Sequence, residues 1–189
     1  MLTSYGSAWL GDPSFSPVLE ELNRRKAVVY THPTDALCCQ NLIPRVANQM
    51  LEYPTDTTRT IVSLIVSEAA TRYREIRFIF SHAGGTITAV AGRLLGAGMS
   101  ADALARPAEP NSRLFHLRRF YYDTAGSANP VNMQALKALV PVAQILFGTD
   151  APFFDGAPQV QGLQQCGFSG DELRGIEREH ALPLLPRLA

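Results

Sequence analysis

The fold is decided by the stretch Ile76-Arg77-Phe78-Ile79-Phe80-Ser81-His82-Ala83-Gly84-Gly85. It begins with a short and nearly continuous apolar run, which is typical of a strand buried on both faces of a parallel sheet. The glycine pair breaks the chain after this strand, and a helical stretch then continues to about Leu95. A strand, a turn and a helix in this order form the repeating unit of α/β proteins.

Three other short β-rich runs extend this pattern along the chain. They are Ala27–Thr31, Phe120–Tyr122 and Ala143–Phe147, and segments with helical periodicity separate them. The alternation predicts a buried parallel sheet with right-handed connections. Two architectures fit it, an open doubly wound sheet and part of a (β/α) barrel.

Capping residues predict where the helices begin. The expected helix starts are Asp12, Asp56 or Thr57, Asn129 followed by Pro130, and Ser169 with a capping box. The segment 96–112 is rich in Ala, Gly and Pro, so we expect it to be a long loop.

The composition predicts a single folded domain without nucleic-acid or membrane partners. The 189 residues are 46% apolar, and 17 basic side chains balance 17 acidic ones, so no excess positive charge is available to neutralise phosphates. No apolar run approaches the roughly 20 residues of a membrane span, and the first residues do not resemble a secretory signal. The three cysteines are expected to be buried and reduced, without a disulfide framework or a zinc motif. We therefore expect one domain, residues 1–189, in the cytoplasm.

Polar side chains stand at the end of each predicted strand. His32 follows the first strand, His82 follows the second, Asp123 follows the third and Asp150 follows the fourth. Because the carboxyl ends of parallel strands form one rim, we expect these imidazoles and carboxylates to converge. Neutral imidazole and carboxylate bind divalent metals such as zinc, and a group left uncoordinated can move protons near neutral pH. The sequence therefore predicts a metal or acid–base site.

Each of these residues also has a purely structural interpretation. A single histidine at a strand end can be a hydrogen-bonded structural group, and Asp123 or Asp150 could cap the following helix. The recurrence of polar residues at equivalent points of successive units favours a functional site. His116 and His180 lie on helical or loop segments, and we expect both to be structural.

Three ordered motifs resemble a known family. They are Tyr30-Thr31-His32-Pro33-Thr34, Ser81–Gly85 and Gly148-Thr149-Asp150-Ala151-Pro152-Phe153, and they resemble the amidohydrolase-related metal-dependent decarboxylases, the aminocarboxymuconate semialdehyde decarboxylase-like family. The stretches Leu10–Pro13 and Tyr53–Arg59 look most like the methylsalicylate decarboxylase branch. The resemblance covers nearly the whole chain and implies an α/β fold of the (β/α)₈ TIM-barrel type.

The resemblance implies roles for five residues. His32 resembles the metal-ligand histidine after strand five, and His82 resembles the strand-six histidine that positions or protonates the substrate. Asp150 resembles the strand-eight aspartate, which binds the metal and transfers a proton. Phe153 falls where the family places an aromatic ring against the substrate, and Asp123 resembles a supporting residue of strand seven.

One family feature is absent from this sequence. The family's first strand carries an H-x-H pair that supplies two metal ligands, whereas the four histidines of this chain form no such pair. The four strands, with a stub at Leu2–Tyr5, therefore look like the C-terminal portion of the barrel, about strands 4/5 to 8. Such a portion leaves sheet edges and apolar faces open. We expect the chain alone to be poorly soluble or a homo-oligomer, with little activity.

The resemblance implies non-oxidative decarboxylation of an ortho-hydroxy aromatic acid similar to 6-methylsalicylate, with release of CO₂. The expected cofactor is one divalent metal, zinc before manganese, and no organic cofactor is expected. The expected partner is a small aromatic carboxylic acid. Two alternatives stay open, namely a lactonase-like metal-dependent hydrolase of the same superfamily and an inactive truncated remnant.

Overall fold

A parallel four-stranded sheet forms the centre of the structure, a computed structural model that describes residues 1–188. The order of the strands in the sheet follows their order in the chain, and Thr31 pairs with Phe80 where the first two strands end. All four predicted strands and their parallel direction are confirmed. A short antiparallel hairpin precedes the sheet. The strands are β1 (Ser4–Tyr5), β2 (Ala8–Trp9), β3 (Val28–Thr31), β4 (Arg77–Phe80), β5 (Tyr121–Asp123) and β6 (Ile145–Leu146).

Helices connect the strands of the sheet. In the described part of the chain they are α1 (Ser16–Arg24), α2 (Asn48–Val66), α3 (Ala69–Arg72), α4 (Ile87–Leu95), α5 (Ala101–Ala105), α6 (Arg113–Arg119), α7 (Pro130–Leu139), α8 (Gly156–Gln164) and α9 (Gly170–Glu177). The predicted starts at Asn129 and Ser169 are confirmed, because the side chain of each accepts a hydrogen bond from a backbone N–H in the first turn. Asp12 caps a 3₁₀ turn that leads into α1.

The helices pack against one face of the sheet. Side chains alternate across the pleat, so Phe78 and Phe80 point to the helices while Ile79 points to the opposite face. The main core joins the strand residues to helix residues that include Ile61, Leu64, Ile87, Leu117, Met133, Leu136 and Ile176. The opposite face carries a smaller cluster with Leu146 and Leu184. A doubly wound sheet has helices on both faces and a reversal of strand order, and this sheet shows neither within residues 1–188.

The second helix begins earlier than its capping pattern predicts. Helix α2 begins at Asn48 and continues through Pro54, so the predicted start at Asp56 or Thr57 was wrong. The prediction rested on Asp56 and Thr57 being residue types that cap helices. The helix instead runs through Pro54, and a proline costs a helix the hydrogen bond of its own nitrogen and some steric strain. Packing of α2 against the core outweighs that cost.

Asp56 lies inside α2 and does not cap it; its side chain makes hydrogen bonds within the fold. Its carboxylate is fully buried and accepts hydrogen bonds from the hydroxyls of Thr3 and Ser4 and from the indole Nε1–H of Trp9, at 2.9 Å for Ser4 and 2.7 Å for Trp9. These donors belong to the N-terminal hairpin. The carboxylate therefore attaches the hairpin to α2.

The N-terminal stub is confirmed only in part. Leu2 forms a parallel bridge with His32, beside the first strand of the sheet. Ser4 and Tyr5 instead belong to the antiparallel hairpin.

The segment 96–112 contains helical structure, so the prediction of a long loop was wrong. Gly96–Met99 forms a 3₁₀ turn, and α5 follows it. The guanidinium of Arg118 donates hydrogen bonds to the carbonyl oxygens of Leu104 and Arg106, which fixes the end of this segment against α6. A contact of this kind is tertiary and leaves no local pattern in the sequence.

The cysteines differ from the expectation. Cys38 and Cys39 form a disulfide in the exposed loop between β3 and α2, and only Cys166 is a buried free thiol. Because the two bonded residues are adjacent, the disulfide crosslinks no distant parts of the chain. Within residues 1–188, no helix combines the length and the apolar character that crossing a bilayer requires.

Replacement of Asp56 by alanine should destabilise the protein by about 3 kcal/mol, because three donors of the hairpin lose their acceptor at a cost of roughly 1–3 kcal/mol for each buried group. Urea unfolding followed by the fluorescence of Trp9, the single tryptophan, measures the change. Asp102→Ala is the control, because Asp102 is exposed and its loss should change stability by no more than about 0.5 kcal/mol. Equal unfolding midpoints for the two variants would contradict the conclusion that Asp56 attaches the hairpin to α2.

Candidate functional site

Three of the predicted site residues meet at one end of the sheet. His32 directly follows β3, and His82 lies two residues beyond the end of β4. Because Thr31 and Phe80 are paired, the two imidazoles leave the sheet at nearly the same level. Asp150 comes from the loop that follows β6. The carboxyl ends of parallel strands thus bring together residues that are far apart in sequence.

The side-chain atoms of His32, His82 and Asp150 form a tight cluster. His32 Nε2 lies 3.2 Å from Asp150 Oδ1 and 3.4 Å from His82 Nε2. One ligand atom from each residue lies within 4.8 Å of the other two, and all three residues are partly buried. Ligands bonded to a zinc-sized cation at about 2.1 Å are roughly 3–3.5 Å apart, so the cluster has the dimensions of a coordination shell.

The hydrogen bonds on the far side of each imidazole fix the tautomers. His32 Nδ1 lies 2.9 Å from the carbonyl oxygen of Pro33, and His82 Nδ1 lies 3.0 Å from the carbonyl oxygen of Ala125. A carbonyl only accepts, so we assign the proton of each neutral ring to Nδ1 and a lone pair to each Nε2. Binding of the second ring nitrogen to a carbonyl is also the usual arrangement around a metal-ligating histidine.

When both rings are neutral, two nitrogen lone pairs and a carboxylate oxygen of Asp150 face one another. Three acceptors at these distances repel one another unless a positive charge lies between them, either a bound cation or an added proton. Imidazole and carboxylate together suit zinc and manganese. The residues present thus fit a divalent metal, and the same geometry allows an imidazole to hold a proton.

The backbone that carries two of these residues is strained. The φ angle is +55° at His82, +56° at Ala83 and +65° at Asp150, in the left-handed region that residues with a Cβ rarely adopt. Each such residue costs of order 1–3 kcal/mol and persists only where surrounding contacts hold it. Gly85 completes the turn, since a Cβ there would lie 1.9 Å from the carbonyl oxygen of Pro54. The turn that carries His82 therefore approaches α2 closely at Gly85.

Asp123 holds the start of this turn. It is buried at the end of β5, and its Oδ1 accepts hydrogen bonds from the backbone N–H groups of His82 at 2.9 Å and Ala125 at 3.0 Å. Its Oδ2 accepts a hydrogen bond from the Tyr30 hydroxyl at 2.7 Å. Gly148 leaves the necessary space, because a Cβ there would lie 2.9 Å from Asp123 Cγ.

Burial affects the protonation of Asp123 and Tyr30. Burial raises the pKa of Asp123, while the hydrogen bonds from Tyr30 and from the His82 N–H act in the opposite direction. Burial, and next the negative charge of Asp123, raise the pKa of Tyr30. The phenol therefore keeps its proton and remains the donor of this hydrogen bond.

The cluster opens into a cavity of about 680 Å³. One part of its wall is apolar and consists of Pro33, Met50, Pro54, Phe153 and Phe154. The remaining polar lining consists of Gln49, Tyr53, Thr86, Ser127 and Asn132 beside the three cluster residues. The space is sufficient for a substituted aromatic ring, and the charged groups lie on one side of it.

The other predicted residues have clear positions. Phe153 lines the cavity, and its side chain is 79% exposed. His116 is buried and bonds to the Thr71 hydroxyl at 2.9 Å, and His180 bonds to the carbonyl oxygen of Ile145 at 3.0 Å. Neither belongs to the metal-sized cluster, in agreement with the structural interpretation.

Sequence reasoning missed several residues of the site. Tyr30 stands two residues before His32, and the alternation of β3 was the available signal that its side chain points away from the helices. Gln49 and Tyr53 were missed because the start of α2 was placed too late. Asn132, in the first turn of α7, gave no signal beyond its position after a strand end.

Comparison with known proteins relates this site to a family. The family model described as amidohydrolase matches residues 2–179. The chain is 35% identical over 194 residues to the decarboxylase yanB of Aspergillus niger, with 96% of this chain and 52% of that protein covered. It is 34% identical over 211 residues to the 6-methylsalicylic acid decarboxylase acuB of Aspergillus aculeatus, with 100% and 60% covered. The chain thus spans between half and three fifths of the length of these relatives.

A solved structure has the same fold. It is a 5-carboxyvanillate decarboxylase of Novosphingobium aromaticivorans, solved with bound manganese and 3-methoxy-4-hydroxy-5-nitrobenzoic acid. The TM-score is 0.82 at 13% sequence identity, and the match covers 97% of this chain and 55% of that chain. An identity this low supports the fold alone.

Replacement of Asp150 by asparagine should weaken binding of Mn²⁺ at least tenfold, because it removes the only negative charge from the cluster of His32, His82 and Asp150. Loss of the free-ion electron paramagnetic resonance signal on binding measures the affinity. Mn²⁺ is the suitable probe because it prefers oxygen and nitrogen ligands and binds thiols poorly.

Asp155→Asn is the matched control for this substitution. Asp155 is exposed and caps α8 through a hydrogen bond from the Ala157 N–H, a role that asparagine also fills. The control should bind Mn²⁺ like the unmodified chain. If both substitutions weaken Mn²⁺ binding equally, or if neither weakens it, Asp150 is excluded as a ligand.

Proposed function

Because the chain belongs to the amidohydrolase family, we propose that it performs metal-dependent, non-oxidative decarboxylation of an ortho-hydroxy aromatic acid such as 6-methylsalicylate. The observation that carries this proposal is the convergence of His32 Nε2, His82 Nε2 and Asp150 Oδ1 beside a cavity with one apolar wall. The printed names of the two decarboxylase relatives support the choice of reaction and substrate.

His32 and Asp150 are the proposed metal ligands. Their atoms lie 3.2 Å apart, and His82 Nε2 adjoins them. Zinc is our first choice because of the imidazole ligands, and the bound manganese of the 5-carboxyvanillate decarboxylase keeps manganese as the alternative. When bound here, such an ion would supply Lewis-acid chemistry and a template for the substrate carboxylate and its neighbouring oxygen.

We propose that His82 Nε2 or the Asp150 carboxylate takes up a proton from solvent and then transfers it to the substrate. The proton goes to the ring carbon that bears the carboxylate, which interrupts aromaticity at that carbon. The bond to the carboxylate breaks, its electron pair returns to the ring, and CO₂ leaves. A hydrogen has replaced the carboxylate and no electrons have been gained or lost, so the chemistry requires no organic cofactor.

The apolar wall of the cavity is the proposed binding surface for the aromatic ring. Met50 and Phe153 line the cavity and are 73% and 79% exposed, so both offer apolar side-chain surface to a ligand. A substrate with its carboxylate at the cluster would direct its ring toward these side chains. Burial of apolar surface would then add binding energy at about 25 cal/mol per Å².

We also propose that the sheet corresponds to about strands 5 to 8 of a (β/α)₈ barrel, with Leu2–Tyr5 beside it, within a single domain 1–189. The strand order without reversal and the helices on one face support this. The 52% and 60% coverage of the two relatives is consistent with it. The outer edges of the sheet would then pair with further strands or with a second copy of the chain.

The purified chain with Mn²⁺ or Zn²⁺ should release ¹³CO₂ from carboxyl-labelled 6-methylsalicylate, because the cluster supplies both a cation site and a proton. We expect the rate to be far below that of the Penicillium expansum 6-methylsalicylic acid decarboxylase assayed in parallel, since an open sheet holds the site less rigidly. Nuclear magnetic resonance detects the product. In D₂O, deuterium should appear at the carbon that carried the carboxylate.

The controls separate this reaction from its alternatives. Chelation of the metal and the Asp150→Asn variant should both abolish CO₂ release, and an isomer with its hydroxyl meta to the carboxylate should not react. Hydrolysis of an aromatic lactone without CO₂ release would support the lactonase-like alternative. The absence of both reactions, with the relative active in parallel, would support an inactive chain.

A further inference from the structure

We propose that Tyr30 is a positioning residue for the site: its hydroxyl holds Asp123, and Asp123 holds the strained backbone of His82 in the orientation that points Nε2 at His32 and Asp150. The inference rests on the proposed function only in treating His32, His82 and Asp150 as the functional cluster. It concerns hydrogen bonds between residues of the chain itself. Within residues 1–188, the Tyr30 hydroxyl donates its hydrogen bond to Asp123 and to none of the three cluster residues, and Tyr30 does not line the cavity.

His82 needs such support because its conformation is unfavourable. Two consecutive residues with a Cβ, His82 and Ala83, have φ angles of +55° and +56°. A turn of this kind relaxes to an ordinary conformation unless contacts at its start hold it. The hydrogen bond from the His82 N–H to Asp123 Oδ1, at 2.9 Å, is a contact at that point.

Asp123 can hold the turn only while its carboxylate keeps its orientation. Its Oδ1 is used by two backbone N–H groups, and the Tyr30 hydroxyl holds Oδ2 at 2.7 Å. Loss of the hydroxyl would leave Oδ2 buried without this donor, at the end of β5. A carboxylate in that state rotates or attracts water, and either change weakens its hydrogen bonds to the backbone.

Tyr121 provides a matched comparison for Tyr30. It lies on β5, and its side chain packs with Val28 and Ile79 on the same face of the sheet as Tyr30. Within residues 1–188 its hydroxyl makes no hydrogen bond to another residue, whereas the Tyr30 hydroxyl bonds to Asp123. Tyr30→Phe and Tyr121→Phe therefore remove the same atom from the same surface, and only the first removes a contact of the site.

The test measures hydrogen exchange and metal affinity in both variants. In metal-free Tyr30→Phe, the amide of His82 should exchange about tenfold faster than in the unmodified chain, while the amides of β4 keep their rates. The Mn²⁺ affinity of the same variant should fall about tenfold, as is usual when a residue behind a ligand is lost. Tyr121→Phe should change neither quantity.

Every other result overturns the proposal. If the His82 amide and the β4 amides exchange faster together, the hydroxyl contributes only to general stability. If the His82 amide is unchanged, or if it changes while Mn²⁺ affinity does not, Tyr30 does not position the cluster. Because exchange is measured without metal or substrate, absence of CO₂ release in the separate assay would count against the proposed function and not against this inference.

Discussion

The site depends on the close approach of two imidazole nitrogens and one carboxylate oxygen that the fold holds together. His32 Nε2, His82 Nε2 and Asp150 Oδ1 lie within 4.8 Å of one another, and backbone carbonyls fix the protons of both imidazoles on their far sides. An isolated peptide would move such groups apart. Here the strand ends and the strained turn after β4 keep the three groups together, so the site attracts positive charge. The proposed metal binding and the proposed proton transfer would both use that affinity.

A few structural features of the sheet hold these three atoms together. The pairing of Thr31 with Phe80 sets both imidazoles at one level, and the left-handed turn after β4 directs His82 sideways toward His32. Asp123 joins a third strand to this turn through the His82 N–H. The packed core beneath the turn, where Phe80 and Tyr122 are fully buried, offsets the energetic cost of the strained backbone. Stability of the core and geometry of the site are thus linked.

The repeated strand–helix units could be predicted from the sequence. Single hydrogen bonds between residues far apart in the chain could not. Four apolar runs and the polar residues after them located the sheet, His32, His82 and Asp150, because parallel strands necessarily deliver their ends to one rim. Asp56 has the local pattern of a cap, but its partners come from the distant N-terminal hairpin. The hydrogen bond of Tyr30 to Asp123 likewise joins residues 93 positions apart, so no local pattern could reveal it.

Anomalous diffraction from crystals soaked in Mn²⁺ tests the central claim most directly, because it locates the cation itself. One peak is expected within bonding distance of His32 Nε2 and of the Asp150 carboxylate, with His82 Nε2 in or beside the coordination shell. A peak elsewhere in the molecule, or no peak between these residues at saturating Mn²⁺, would contradict it.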